Sequence, residues 1–105
     1  MQIVVSQAWL LPGDAHARAY VAASSSFENF YRAQPGFISR MLTRGVDDPT
    51  HIIHLRVFES IADYEAMTQI PEYQAHIESL SRHVDVARYK DGYPREYADV
   101  MWSSP

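Results

Sequence analysis

Residues 35–45 (PGFISRMLTRG), 51–60 (HIIHLRVFES) and 61–81 (IADYEAMTQIPEYQAHIESLS) carry the pattern that decides the fold. Pro35-Gly36 punctuates the chain, and 37–44 then reads as a strand. Asp47-Asp48-Pro49-Thr50 supplies turn chemistry before a β-branched run at 51–58, so the two runs predict a hairpin. Ser60 followed by Asp63 resembles a capping box at a helix start, with the shorter aspartate in place of the preferred glutamate. Pro71 interrupts that helix and suits the first position of another, in which Tyr73, Ile77, Leu80 and Val84 form an apolar stripe.

Toward the N-terminus, residues 2–11 are nearly continuously apolar, with Ile3, Val5, Trp9 and Leu11 on one face and Val4, Ala8 and Leu10 on the other. A strand apolar on both faces needs cover on both. Pro12-Gly13-Asp14 ends it, and Asp14 is placed to cap a helix. Within 15–34, Tyr20, Ala23, Phe27, Phe30 and Tyr31 recur at helical spacing, although Ser24-Ser25-Ser26 has weak helix propensity. Toward the C-terminus, 84–90 (VDVARYK) alternates as a closing strand. The order is then βαββαβ, an α+β ferredoxin-like fold with an antiparallel sheet and helices on one face. A second copy packed sheet to sheet, as in a dimeric α+β barrel, would cover the other face. This divides the chain into a ferredoxin-like domain at 1–90 and a C-terminal arm at 91–105. Tyr93, Tyr97, Val100, Met101 and Trp102 make the arm too apolar for a solvated tail, so it is expected to pack on the partner or on a pocket.

The Pro35-Gly36-Phe37 lead-in to the second strand, the aromatic-x-Ser at Phe58-Glu59-Ser60 and the spacing from Pro71 to His76 are shared features. On them, over roughly residues 2–90, the chain resembles the antibiotic-biosynthesis monooxygenase family of dimeric α+β barrels. The resemblance implies a homodimer. Some members oxidise electron-rich aromatic polyketides, anthrones or quinols without flavin, haem or metal, which implies an aromatic small-molecule ligand and no cofactor. Many relatives carry glutamate and tryptophan where this chain has Arg56 and Phe58. The asparagine, tryptophan and histidine used by haem-degrading relatives fall near Gln7, Met67 and Ile77, so that chemistry is not expected. Two other readings stay open: an accessory protein that holds a biosynthetic intermediate, and a cyclase or isomerase using the same pocket.

Composition narrows the field. A chain of 105 residues with 47% hydrophobic and 21% charged residues is of ordinary globular size and make-up. A net charge of −4 with no basic run argues against nucleic-acid binding. With no cysteine there is no thiolate nucleophile or thiolate metal site. The opening MQIVVSQAWLL has neither the basic start nor the cleavage site of a signal peptide and is too short to span a bilayer, so a cytoplasmic protein without membrane contact is expected. Nucleotide-binding glycine loops and a Gly-x-Ser-x-Gly elbow are absent.

Histidine carries the remaining chemistry. His51 and His54 fall on opposite faces of one strand, and His76 and His83 lie two helical turns apart, roughly 10 Å, so neither pair could share a metal ion and none is expected. His54 and Arg56 share a face with Ile52 and Phe58; an adjacent guanidinium would hold the imidazole neutral, as suits a general base. Alternatively both face an interface or solvent and pair with acids. His76, beside the buried stripe, is a second candidate base or an interface histidine. Gln7, Trp9, Tyr31, Tyr64 and Met67 are candidate pocket lining, or simply core.

Overall fold

The computed structural model describes residues 1–88 and 94–105. The elements are β1 (Gln2–Trp9), α1 (Asp14–Ser26), α2 (Glu28–Arg32), β2 (Phe37–Arg44), β3 (His51–Phe58), α3 (Ile61–Thr68), α4 (Pro71–Ser81) and β4 (Arg95–Asp99), with a 3₁₀ turn at Val86–Arg88. The sheet runs β2-β3-β1-β4, antiparallel throughout. This is the expected α+β ferredoxin-like arrangement.

The local signals of the middle segment hold. Asp48 Oδ1 accepts from both the backbone N–H (3.0 Å) and hydroxyl (2.6 Å) of Thr50, closing the β2–β3 turn. Ser60 Oγ accepts from the Asp63 N–H at 3.3 Å, and Pro71 opens α4. Gly36 has φ 76°, and a Cβ there would collide with the Asp63 carboxylate, so this junction requires glycine.

Four expectations change. The helix read over 15–34 is two helices, broken at Phe27, just after the serine run; Ser25 and Ser26 turn their hydroxyls back onto Ala22 and Ala23 carbonyls, which weakens the helix there. Asp14 does not cap α1. Gly13 holds the N-cap position without a side-chain bond, and Asp14 reaches Arg44 at 3.7 Å instead. The buried face of α4 is Tyr73, His76 and Leu80, with Ile77 only partly covered. The closing strand is not at 84–90. Val84 makes a lone bridge to Leu10, 86–88 form the 3₁₀ turn, and 89–90 lie outside the described residues. The fourth strand comes from the segment read as an arm, paired with β1 from Gln2↔Asp99 to Ser6↔Arg95, while 91–93 also lie outside the described residues.

The core lies between helices and sheet. Tyr31, Tyr64, Phe58, Met67 and Val4 are fully buried; each large apolar side chain so placed contributes about 1.5–3 kcal/mol. The far face of the sheet carries Ile3, Val5 and Trp9 of β1, Met41 of β2, and Ile53, Leu55 and Val57 of β3, with none of the described helices over it. Among the described residues no helix is long and apolar enough to cross a membrane.

Candidate functional site

Register explains how the site assembles. On β3, alternate residues Ile52, His54, Arg56 and Phe58 point toward the helices, and the antiparallel pairing sets Ala8, Ser6, Val4 and Gln2 of β1 beside them. Where Ser6 and Ala8 leave room, a cavity of about 330 Å³ opens between sheet and α4. Its floor is Ser6, Ala8, Ile52, His54 and Arg56; α4 contributes Tyr73, Gln74, Ile77, Leu80 and Ser81. Tyr20 of α1, Tyr31 of α2, Thr68 and Arg95 of β4 complete most of the wall.

The charge of this cavity is one-sided. Arg56 and Arg95 line it, and among the described residues no aspartate or glutamate does. Arg56 is only 3% exposed, and no carboxylate among the described residues pairs with it. Its guanidinium donates to Tyr73 Oη at 3.2 Å and to Ser6 Oγ, lies 5.0 Å from the Tyr64 ring centroid, and leaves Nε without a partner. Arginine keeps its proton in proteins, so a fixed cation sits here among phenols rather than beside an anion.

His54 stands next to it. Burial, followed by the charges of Arg56, Arg40 and His76, pushes its pKa down to about 2, so the imidazole is neutral. Its Nε2 is buried with no hydrogen-bond partner among the described residues, and the Tyr31 ring meets the imidazole edge-on at 6.3 Å. Burial raises the Tyr73 phenol and pushes Tyr64 up to about 12, so both hydroxyls keep their protons and can donate. No bond of ordinary geometry reaches the Tyr64 hydroxyl, although Tyr73 is near enough to affect its acidity.

The other candidates are distributed. Tyr31 joins His54 and Arg56 in the cavity lining; Gln7 borders it, but alternation along β1 turns its side chain to the far face, where its amide oxygen is 2.9 Å from His51 Nε2. Trp9 lies on the far sheet face, stacked on His51 at 4.3 Å with the Arg88 guanidinium 5.2 Å from its ring centroid. Met67 and Tyr64 lie in the adjoining core between helices and sheet, with Val4, Phe58, Tyr31 and Tyr73. His76 is stacked on Phe27 at 3.9 Å, away from the lining, and burial followed by the Arg40 charge pushes its pKa down to about 4.

Sequence reasoning missed Ser6, Tyr73 and Arg95. Ser6 was detectable as the polar residue between Val4 and Ala8 on an apolar face. Tyr73 was read as core, and Arg95 lay in the segment set apart from the domain.

The profile of the antibiotic biosynthesis monooxygenase family matches residues 1–79. No curated protein matches by sequence. Among solved structures, SnoaB of Streptomyces nogalater, a cofactor-independent oxygenase, is similar at TM-score 0.77 and 14% identity, covering 99% of this chain and 96% of that one. A Nitrosomonas europaea protein provisionally described as an antibiotic biosynthesis monooxygenase gives 0.78 and 12%, covering 99% and 93%. A conserved protein of Methanosarcina mazei Go1 gives 0.75 and 10%, covering 92% and 89%. Likeness at such identities establishes the shared fold alone.

Proposed function

The chain belongs to the antibiotic biosynthesis monooxygenase family, and from that membership we propose that it is a cofactor-independent monooxygenase-like protein acting on an aromatic polyketide, quinol or related secondary metabolite. The observation that carries this reading is the pairing, inside a largely apolar cavity, of a cation without a carboxylate and a neutral imidazole with a free Nε2. An electron-rich phenol or anthrone is neutral when it enters such a site and becomes an anion once its proton leaves. Arg56 and the Tyr73 hydroxyl are placed to favour that anion over its neutral parent, which lowers the barrier to deprotonation. The imidazolium of His54 is costly first because burial strips it of solvent and then because the Arg56 charge repels it. An enolate or phenolate bound to Arg56 removes much of that repulsion, so His54 becomes a better base as the substrate becomes an acid.

The anion then passes one electron to dioxygen, and recombination forms a carbon–oxygen bond. Loss of water from the resulting hydroperoxide leaves a carbonyl, with one oxygen atom in product and the other in water. The surrounding Tyr20, Tyr31, Ile52 and Leu80 keep bulk water from the intermediates. The same reading makes the protein a cytoplasmic homodimer joined through the apolar far face of the sheet, with the segment after β4 against the partner.

Dioxygen uptake by the full chain against a panel of anthrones and quinols tests it, with His54→Ala and Arg56→Met alongside. Uptake in step with substrate loss, lowered by either substitution, is the expected result. Ligand binding without uptake across the panel would reject the oxygenase and favour an accessory binding protein. The weak basicity of His54 in the empty cavity is the observation on that side.

A further inference from the structure

Outside the cavity, the fold brings together two histidines that lie 67 residues apart in sequence. His16 sits in the first turn of α1, and His83 follows α4. Their Nδ1 atoms are 3.1 Å apart and their rings are tilted by 58°. Both side chains are half-buried, so they are held yet reachable from solvent. The backbone fixes their positions: Leu11 N–H donates to the His83 carbonyl at 2.9 Å, Asp85 N–H to the Trp9 carbonyl at 2.8 Å, and Leu10 bridges to Val84.

Two unprotonated imidazole nitrogens cannot point at each other at this separation without something between their lone pairs. A single shared proton is one solution. A metal ion set to the side of the line between them is the other, and the separation of the nitrogens admits one. With metal–nitrogen bonds of about 2.05 Å, nitrogens 3.1 Å apart subtend roughly 100° at the ion, between square-planar and tetrahedral angles. Among the described residues no third histidine, aspartate or glutamate joins them, so water or a small ligand would fill the other positions.

We propose that His16 and His83 form a two-histidine chelating site for a divalent ion of the zinc, nickel or copper class, open to exogenous ligands. It is independent of the cavity's chemistry. An ion there ties the start of α1 to the segment after α4, next to Leu80, Ser81 and Val84 of the cavity wall. Imidazole prefers these ions to hard magnesium, which takes oxygen ligands.

Thermal unfolding of the full chain with zinc, nickel or copper chloride tests the site. Saturating ion should raise Tm by about 4 °C or more, magnesium should not, and the gain should shrink as pH falls and protons compete for both rings. His16→Ala and His83→Ala should each abolish the gain, while His51→Ala keeps it. His16 lies in a terminal helical turn, so its variant decides the matter even if His83→Ala does not fold. The copper-loaded protein should show electron-paramagnetic coupling to two nitrogens. Absence of any gain, or a gain that survives His16→Ala, would overturn the proposal and leave a proton-sharing histidine pair.

Discussion

At the scale of single residues, Arg56 and His54 dominate because the Arg56 guanidinium and the His54 Nε2 atom are buried without, among the described residues, the carboxylate or hydrogen-bond partner that ordinarily makes burial tolerable. Replacing Arg56 by Met removes the charge that meets a substrate oxyanion. Turnover should fall by about 10²–10³-fold, as for loss of one oxyanion donor, which steady-state oxygen uptake would register. His54 also leaves a signature that needs no substrate. In the unfolded chain a histidine takes up a proton near pH 6.5, whereas folded His54 stays neutral down to about 2. The unfolded state therefore binds the extra proton as pH falls below 6.5. Stability is complete above that point and declines below it by up to about 1.4 kcal/mol per pH unit. His76, held down to about 4, acts in the same direction. Urea unfolding between about pH 7.5 and 5 should show the decline in the native protein and a shallower one in His54→Gln; equal slopes would contradict a neutral buried His54.

Elements succeed or fail by their junctions. At Gly36, a left-handed backbone and the Asp63 carboxylate meet where α2 hands over to β2. Gly36→Ala should cost at least about 2 kcal/mol in unfolding free energy, from the left-handed penalty plus displacement of Asp63. The second element worth testing is β4, which brings Arg95 to the cavity and lines the edge of β1. Arg95→Ala should weaken binding of an anionic aromatic ligand while leaving Tm nearly unchanged, because the residue is exposed; equal affinity by fluorescence titration would remove Arg95 from the site. The cap at Ser60, the proline start of α4 and the β2–β3 turn were legible because each depends on neighbours a few residues away. The closing strand was not legible. The alternation at 84–90 favours the wrong segment, and only pairing with β1, about ninety positions earlier in the chain, selects 95–99.

At the scale of the whole molecule, the far sheet face is the largest unresolved demand of the sequence. Ile3, Val5, Ile53, Leu55 and Val57 alternate onto it with Met41, 61% exposed, at its edge. The proposed homodimer would cover this face. Sedimentation of the native chain should give a dimer, and Leu55→Glu, which sets a charge in the middle of that face, should give a monomer with an intact fold by circular dichroism. A native monomer at micromolar concentration would rule out assembly through the sheet.

The sequence by itself determined the order of strands and helical segments as far as residue 81, the hairpin and helix boundaries of the middle segment, the placement of His54 with Arg56 on one strand face, and the family. All of these follow from short-range periodicity, turn chemistry or motif spacing. Only the tertiary structure decided that this face looks into a cavity, that no acid among the described residues neutralises Arg56 there, that Ser6, Tyr73 and Arg95 join it, and that His16 meets His83. Strand register and helix docking set those meetings, and they depend on long-range packing that no local pattern encodes.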